Sequence, residues 1–224
     1  MFDPNSPVAR VVLDHAETAP VFQRHRIDFC CHGNVSVLQA CATRGLDVAS
    51  FLGELELAIA EHPEASPPDP RQLSTPELIE QIVVRHHGYL REALPYVGAL
   101  ATTVARVHGG EDDRLCAVDA ILSGLNLELT AHLDLEESIL FPELRAAHKR
   151  GESVATELDQ MVAEHREIGA KLSHLRALTD DYQPPQWACS TYRALLAELG
   201  ELEADLYSHV HLENYVLLPR FSAS

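Results

Sequence analysis

Read at intervals of three and four residues, the chain beyond residue 75 carries four long stripes of apolar side chains, the pattern of helices that each bury one face. The first runs Val83, His87, Leu90, Leu94, Val97, and the second Leu122, Leu125, Leu129, His132, Glu136, Ile139. The third runs Leu158, Met161, His165, Ile168, Leu172, Leu175, and the fourth Leu199, Leu202, Leu206, His209, Glu213, Val216. These stripes predict helices over 76–107, 113–149, 154–178 and 187–218, broken by Gly109 with Gly110, by Gly151, and by Pro184 with Pro185. No segment reads as a strand. Four long helices with short connections predict an all-α fold built on an up-down-up-down four-helix bundle.

Residues 1–61 read differently, as a small domain of short helices. The clearest is "DVASFLGELELAIAEH", where Asp47 can cap the first turn and Phe51 or Leu52, Leu55 and Ile59 share a face. The short helices leave apolar faces to bury, and a homodimer through this domain is the expected way to cover them. The stretch "EHPEASPPDPRQLS" has four prolines in fourteen residues and cannot continue a helix, so 62–74 reads as a linker. Helix restarts at "STPELIE", with Ser74 or Thr75 as cap and Pro76 in the first turn. The bundle then occupies 75–224.

One histidine interrupts each apolar stripe, and their spacing is regular. His87 and His132 stand 45 residues apart, and His165 and His209 stand 44 apart. Residues 76–142 and 154–219 therefore read as tandem copies of one helical hairpin, with the four imidazoles at one depth. "HLDLEESILFP" at 132–142 returns as "HVHLENYVLLP" at 209–219, so a glutamate follows a histidine by four residues in both copies. Positions i and i+4 share a helix face. An unpaired carboxylate in an apolar bundle costs several kcal/mol, and a pair of divalent cations would offset that cost twice over. Imidazole and carboxylate without thiolate suit iron, manganese or zinc. A His-x-x-x-Glu pair is weak evidence by itself, because roughly one is expected by chance on a helical spacing and the chain has three. His148 with Glu152 is the third and reads as surface. His15, His25, His62, His86, His108, His174 and His211 read as ordinary core or surface histidines. Glu128 and Asp205, each four residues before a stripe histidine, are candidate partners for the ligands or proton relays, and equally candidate solvated flanks.

Charge narrows the partners. With 17 basic against 34 acidic residues the net charge is −17, which repels phosphate backbones and makes nucleic acid an unsuitable partner. No apolar run is long enough to span a bilayer and the first residues carry no export signal, so a soluble cytoplasmic protein is expected. The cysteine count is five, an odd number without framework spacing, which fits reduced thiols. Cys30 and Cys31 in "DFCCHGN" are neighbours that would make a strained disulfide. Asn34 can cap a following helix, which would put both thiols at its positive end and favour thiolate; two small buried hydrophobes is the other reading. Cys41, Cys116 and Cys189 read as core.

These residues resemble the RIC family (repair of iron centres) of bacterial di-iron proteins, whose C-terminal domain is hemerythrin-like. "DFCCHG" is similar to the family's Asp-Phe-Cys-Cys-Gly-Gly motif, and "HLDLEESILFP" and "HVHLENYVLLPRF" to its two ligand-bearing helices; "LREALP", "VARVH" and "PPQWACSTYRALL" match as well. The resemblance covers nearly the whole chain. It implies a non-haem di-iron centre, oxo- or hydroxo-bridged, with His87, His132, His165 and His209 as terminal ligands, Glu136 and Glu213 as bridging carboxylates, and a functional role for Cys30 and Cys31. Two positions depart from the pattern: His32 stands where the family has glycine, and Leu90 where many members have a second histidine. The implied function is repair of damaged iron–sulfur clusters under nitrosative and oxidative stress, with damaged cluster proteins as partners. The centre would donate iron, or bind NO and reduce it. A carrier or sensor of O2 or NO without repair activity is the alternative, and a structural metal bundle a third.

Overall fold

The computed structural model describes residues 2–61, 69–150 and 155–221, those at 147–150 and 155–157 by backbone alone. Most of the expected linker, at 62–68, lies outside the described residues, as do His62, Glu152 and the side chain of His148. Among the described residues the fold is all helical, with no strand and no helix long and apolar enough to cross a membrane. Backbone proximity divides the chain into two compact units, Met1–Leu78 with Tyr207–Arg220, and Ile79–Leu206 with Phe221–Ser224.

The N-terminal part folds as α1 (Val8–Asp14), α2 (Ala19–Arg24), α3 (Val37–Arg44) and α4 (Val48–Glu61). Their apolar faces meet in a core that includes Phe22, Phe29, Val37, Phe51 and Leu55, joined by Val210. As expected, Asp47 Oδ1 accepts the Ser50 N–H at 2.9 Å at the head of α4, and Phe51 and Leu55 are buried on one face. The expected cap at Asn34 is corrected: α3 begins at Val37 behind Ser36. Ser36 Oγ accepts the Gln39 N–H and Gln39 Oε1 accepts the Ser36 N–H, both at 3.1 Å. This reciprocal pair satisfies two backbone donors at the helix start, which Asn34 cannot reach. Ser36→Ala is expected to destabilise this unit by about 1 kcal/mol in urea unfolding. Before α3, Gly33 is needed because its chain runs hard against α1: a Cβ there would lie 2.5 Å from the Phe29 carbonyl oxygen and 2.6 Å from Ala9 Cβ.

Four long helical runs follow, close to the predicted bounds. The first is α5 (Thr75–Gln81), a wider π segment (Ile82–His87) and α6 (Gly88–His108). Ser74 heads it through a second reciprocal cap, its N–H donating to Glu77 Oε2 at 2.8 Å. The second is α7 (Arg114–Leu135), a π segment (Glu136–Leu140) and α8 (Phe141–Arg150); the third is α9 (Ala155–Leu178). The fourth is α10 (Ser190–Leu212) with a π segment (Glu213–Leu217). Helix α7 packs against α6 on one side and α9 on the other.

The π segments correct two core assignments. In each, a backbone N–H donates five residues back instead of four: Gly88 to Val83, Phe141 to Glu136 and Leu218 to Glu213. One extra residue in a turn rotates everything beyond it by about 100°. Ile139, expected in the core, is therefore 49% exposed, and Leu140 is buried in its stead. In the first run Val83 is only half-buried and Ile82 takes the core position.

Candidate metal centre

Each π segment starts or ends on a candidate ligand: His87 closes the first, and Glu136 and Glu213 open the other two. Single wide turns of this kind concentrate at functional sites. The two His-x-x-x-Glu pairs have the same local geometry, with His132 Nε2 to Glu136 Oε1 and His209 Nε2 to Glu213 Oε1 both at 3.1 Å. The other oxygen of Glu136 faces His87, with Oε2 3.4 Å from Nε2. One carboxylate thus points its two oxygens at two different imidazoles. His132 and His165 are neighbours, their ring centroids 5.3 Å apart.

All six candidates are buried, none more than 7% exposed. Ligand atoms of His87, Glu136, His209 and Glu213 lie within 4.8 Å of one another, and so do those of His132, Glu136, His165 and Glu213. The two sets share both glutamates. Neither oxygen of Glu136 makes a hydrogen bond, a state that costs several kcal/mol for a carboxylate without a compensating cation. A nitrogen and oxygen donor set of this kind fits divalent transition metals.

Two carboxylates that sequence reading passed over hold the imidazoles in place. Glu137 Oε1 stands 2.9 Å from His87 Nδ1, and Glu164 Oε2 2.7 Å from His132 Nδ1. Burial alone would raise both carboxyls, but hydrogen bonds from His87 and Arg91 to Glu137, and from Gln160 and His132 to Glu164, hold them below the ordinary range. Each carboxylate thus stands on the Nδ1 side of its imidazole, while Nε2 of both rings faces Glu136. Their only sequence signal is position, one residue from a candidate ligand. The two carboxylates singled out in the sequence do something else. Glu128 pairs with Lys171 and is 52% exposed, a solvated flank. Asp205 Oδ1 engages His86 Nδ1 at 2.8 Å. His86 and His211 are buried core histidines, the latter with Nδ1 3.0 Å from the Phe29 carbonyl oxygen.

Cys30 is 2% exposed and Cys31 half-buried, their sulfurs 3.4 Å apart and unbonded. The hydrogen bond with Cys31, burial and the Asp28 carboxylate push the Cys30 thiol well above its usual value, which for Cys30 favours the small buried residue over the thiolate, the two readings the sequence left open. With α3 beginning only at Val37, no helix dipole reaches it. Cys41 is buried as read, but Cys116 and Cys189 are exposed.

Residues 78–221 match the Hemerythrin HHE cation binding domain, and residues 4–59 match a domain of unknown function, DUF542. The chain is 34% identical over 216 residues to the iron–sulfur cluster repair protein YtfE of Yersinia pseudotuberculosis serotype IB (strain PB1/+), covering 96% of both chains. The identity and coverage are the same for the protein of that name from Yersinia pestis (strain Pestoides F). This chain belongs to the RIC family. The cation-binding match of this RIC chain spans all six candidate ligands, and the DUF542 match contains Cys30, Cys31 and His32. At position 32, where the RIC pattern has glycine, the imidazole Nδ1 lies 2.6 Å from Asp28 Oδ2.

Proposed function

We propose that this RIC-family chain repairs damaged iron–sulfur clusters in the cytoplasm under nitrosative and oxidative stress, with a Cys-Cys domain over 1–61 joined to a metal-binding bundle over 75–224. His87, His132, His165 and His209 would hold two iron ions, with Glu136 and Glu213 shared between them. The observation that carries this reading is Glu136 itself, buried, without a hydrogen bond, and facing His132 with one oxygen and His87 with the other. The relatives' name, iron–sulfur cluster repair protein, supports the repair role.

When bound, two ferrous ions supply electrons and coordination positions open to a diatomic ligand such as NO or O2. The protein's own part is orientation. Glu137 and Glu164 keep a proton on the Nδ1 atoms of His87 and His132, so the Nε2 lone pairs stay fixed on the metal side. Removing that constraint weakens binding without deleting a ligand. Glu164→Gln is expected to lower iron affinity by about 10- to 100-fold, read by competition with a colorimetric chelator. A cavity of about 160 Å³ lined by His132, Glu136, Leu140, Met161 and Glu164 reaches the ligands and is large enough for a small molecule. Iron donated to a damaged cluster would be the substrate of the reaction, and a nitrogen and oxygen donor set releases it more readily than thiolates do.

The test is restoration of a cluster enzyme inactivated with nitric oxide. The parent restores it, and Cys30→Ala/Cys31→Ala does not. A double variant as active as the parent would remove the thiols from the mechanism. The same cavity also favours the carrier or sensor reading, which wins if the iron-loaded protein binds O2 reversibly and restores nothing.

A further inference from the structure

The loop Asp28-Phe29-Cys30-Cys31-His32 gathers two thiols, a carboxylate and an imidazole outside the bundle. Asp28 Oδ1 accepts the backbone N–H of Cys30 at 2.9 Å and of Cys31 at 2.8 Å. That turn brings both sulfurs to one side of the loop, with Cys30 Sγ 3.3 Å from the same oxygen. Ligand atoms of Asp28, Cys30 and Cys31 all lie within 4.8 Å of one another. The sulfur separation of 3.4 Å is far longer than a disulfide bond of about 2.05 Å. It is close to the roughly 3.8 Å that two thiolates span on one tetrahedral ion with metal–sulfur bonds of about 2.3 Å.

We propose that Asp28, Cys30 and Cys31 form a second metal site, for a single thiophilic divalent ion. His32 is the positioning residue. Its Nδ1 lies 2.6 Å from Asp28 Oδ2, which holds the carboxylate with Oδ1 against both cysteines. The loop is rigid before any ion arrives: Asn214 Nδ2 donates to the Cys30 carbonyl oxygen at 2.8 Å, and the Phe29 carbonyl oxygen lies 3.0 Å from His211 Nδ1. It is open to solvent through the His32 side chain, which is 65% exposed. Metal binding displaces a proton from each thiol. The ion's charge offsets the burial and the Asp28 carboxylate that otherwise keep Cys30 protonated. This site stands whether or not the bundle holds iron.

The probe is Co²⁺ added anaerobically to the full-length protein, because thiolate-bound cobalt gives near-ultraviolet charge-transfer bands that a nitrogen and oxygen site does not. One equivalent is expected to develop these bands with release of protons. The bands should vanish in Cys30→Ser/Cys31→Ser and persist in Glu136→Ala/Glu213→Ala, and Zn²⁺ should displace the cobalt. His32→Gly keeps both thiols and is expected to weaken cobalt binding at least tenfold. Bands absent from the folded parent, or surviving in Cys30→Ser/Cys31→Ser, overturn the site. A His32→Gly protein that binds cobalt as tightly as the parent overturns the imidazole's part in it.

Discussion

Glu136→Ala/Glu213→Ala is expected to purify without iron, whereas the parent prepared anaerobically carries about two ions per chain, as a paired site with shared carboxylates requires. The stability change separates this outcome from simple misfolding. In the parent, bound metal stabilises the native state by mass action, on the order of 4 kcal/mol at a free concentration a thousand times the dissociation constant. Chelation should therefore lower the parent's melting temperature markedly. The double variant has lost two buried carboxylates, of which Glu136 makes no hydrogen bond. Deleting such charges is neutral or stabilising when no counter-charge remains, so the variant should melt at or above the chelated parent and ignore chelator. Metal content by mass spectrometry and melting with and without chelator decide the matter. An iron-loaded double variant would remove both carboxylates from the centre.

Arg176→Met is expected to be the most damaging change away from the metal. Glu203 is 1% exposed, and its charge is met by Arg176, which donates through Nη2 and through Nε at 3.1 Å. The Tyr182 hydroxyl adds a hydrogen bond to Glu203 at 3.2 Å, and its ring lies 4.9 Å beneath the guanidinium. Asp180, Asp181 and Tyr182 reach this arrangement through three consecutive left-handed backbone conformations, each costing about 1–2 kcal/mol for residues with a side chain. The arginine thus supports a strained turn as well as a buried charge. Breaking one partner of such a pair costs about 3–5 kcal/mol, equivalent to a melting shift of about 10 °C for a chain of this size. Arg176→Met/Glu203→Leu should recover most of the loss, because the stranded carboxylate goes with its partner. If the single variant melts like the parent, the pair contributes nothing.

The helices were legible because periodicity is a local property. Leu90, Leu94 and Val97, or Leu122, Leu125 and Leu129, stand at helical intervals on a buried face, and nothing distant is needed to see it. The six candidate ligands were legible for a related reason. A polar residue on an apolar stripe is conspicuous, and the tandem duplication shows each half of the pattern twice. Pro142 and Pro219, six residues after Glu136 and Glu213, were the available hint of the π segments. Proline has no N–H to continue the ordinary ladder, but that hint does not tell a wide turn from a helix end.

By itself, the sequence determined an all-helical chain, the approximate bounds of its long helices, and the histidines and glutamates that face inward. The tertiary structure decided the phase of each helix beyond its π turn, and so buried Leu140 while leaving Ile139 outside. It also decided that Glu137 and Glu164 stand against the imidazoles of His87 and His132 while Glu128 pairs with Lys171 and Asp205 with His86, and that Cys30 is buried and several residues ahead of the nearest following helix. The physical reason is common to all three. A helix can close a turn through four residues or five at similar local cost, a carboxylate can pair with any cation or imidazole in reach, and a thiol's charge follows its burial; each choice is made by neighbours remote in the chain.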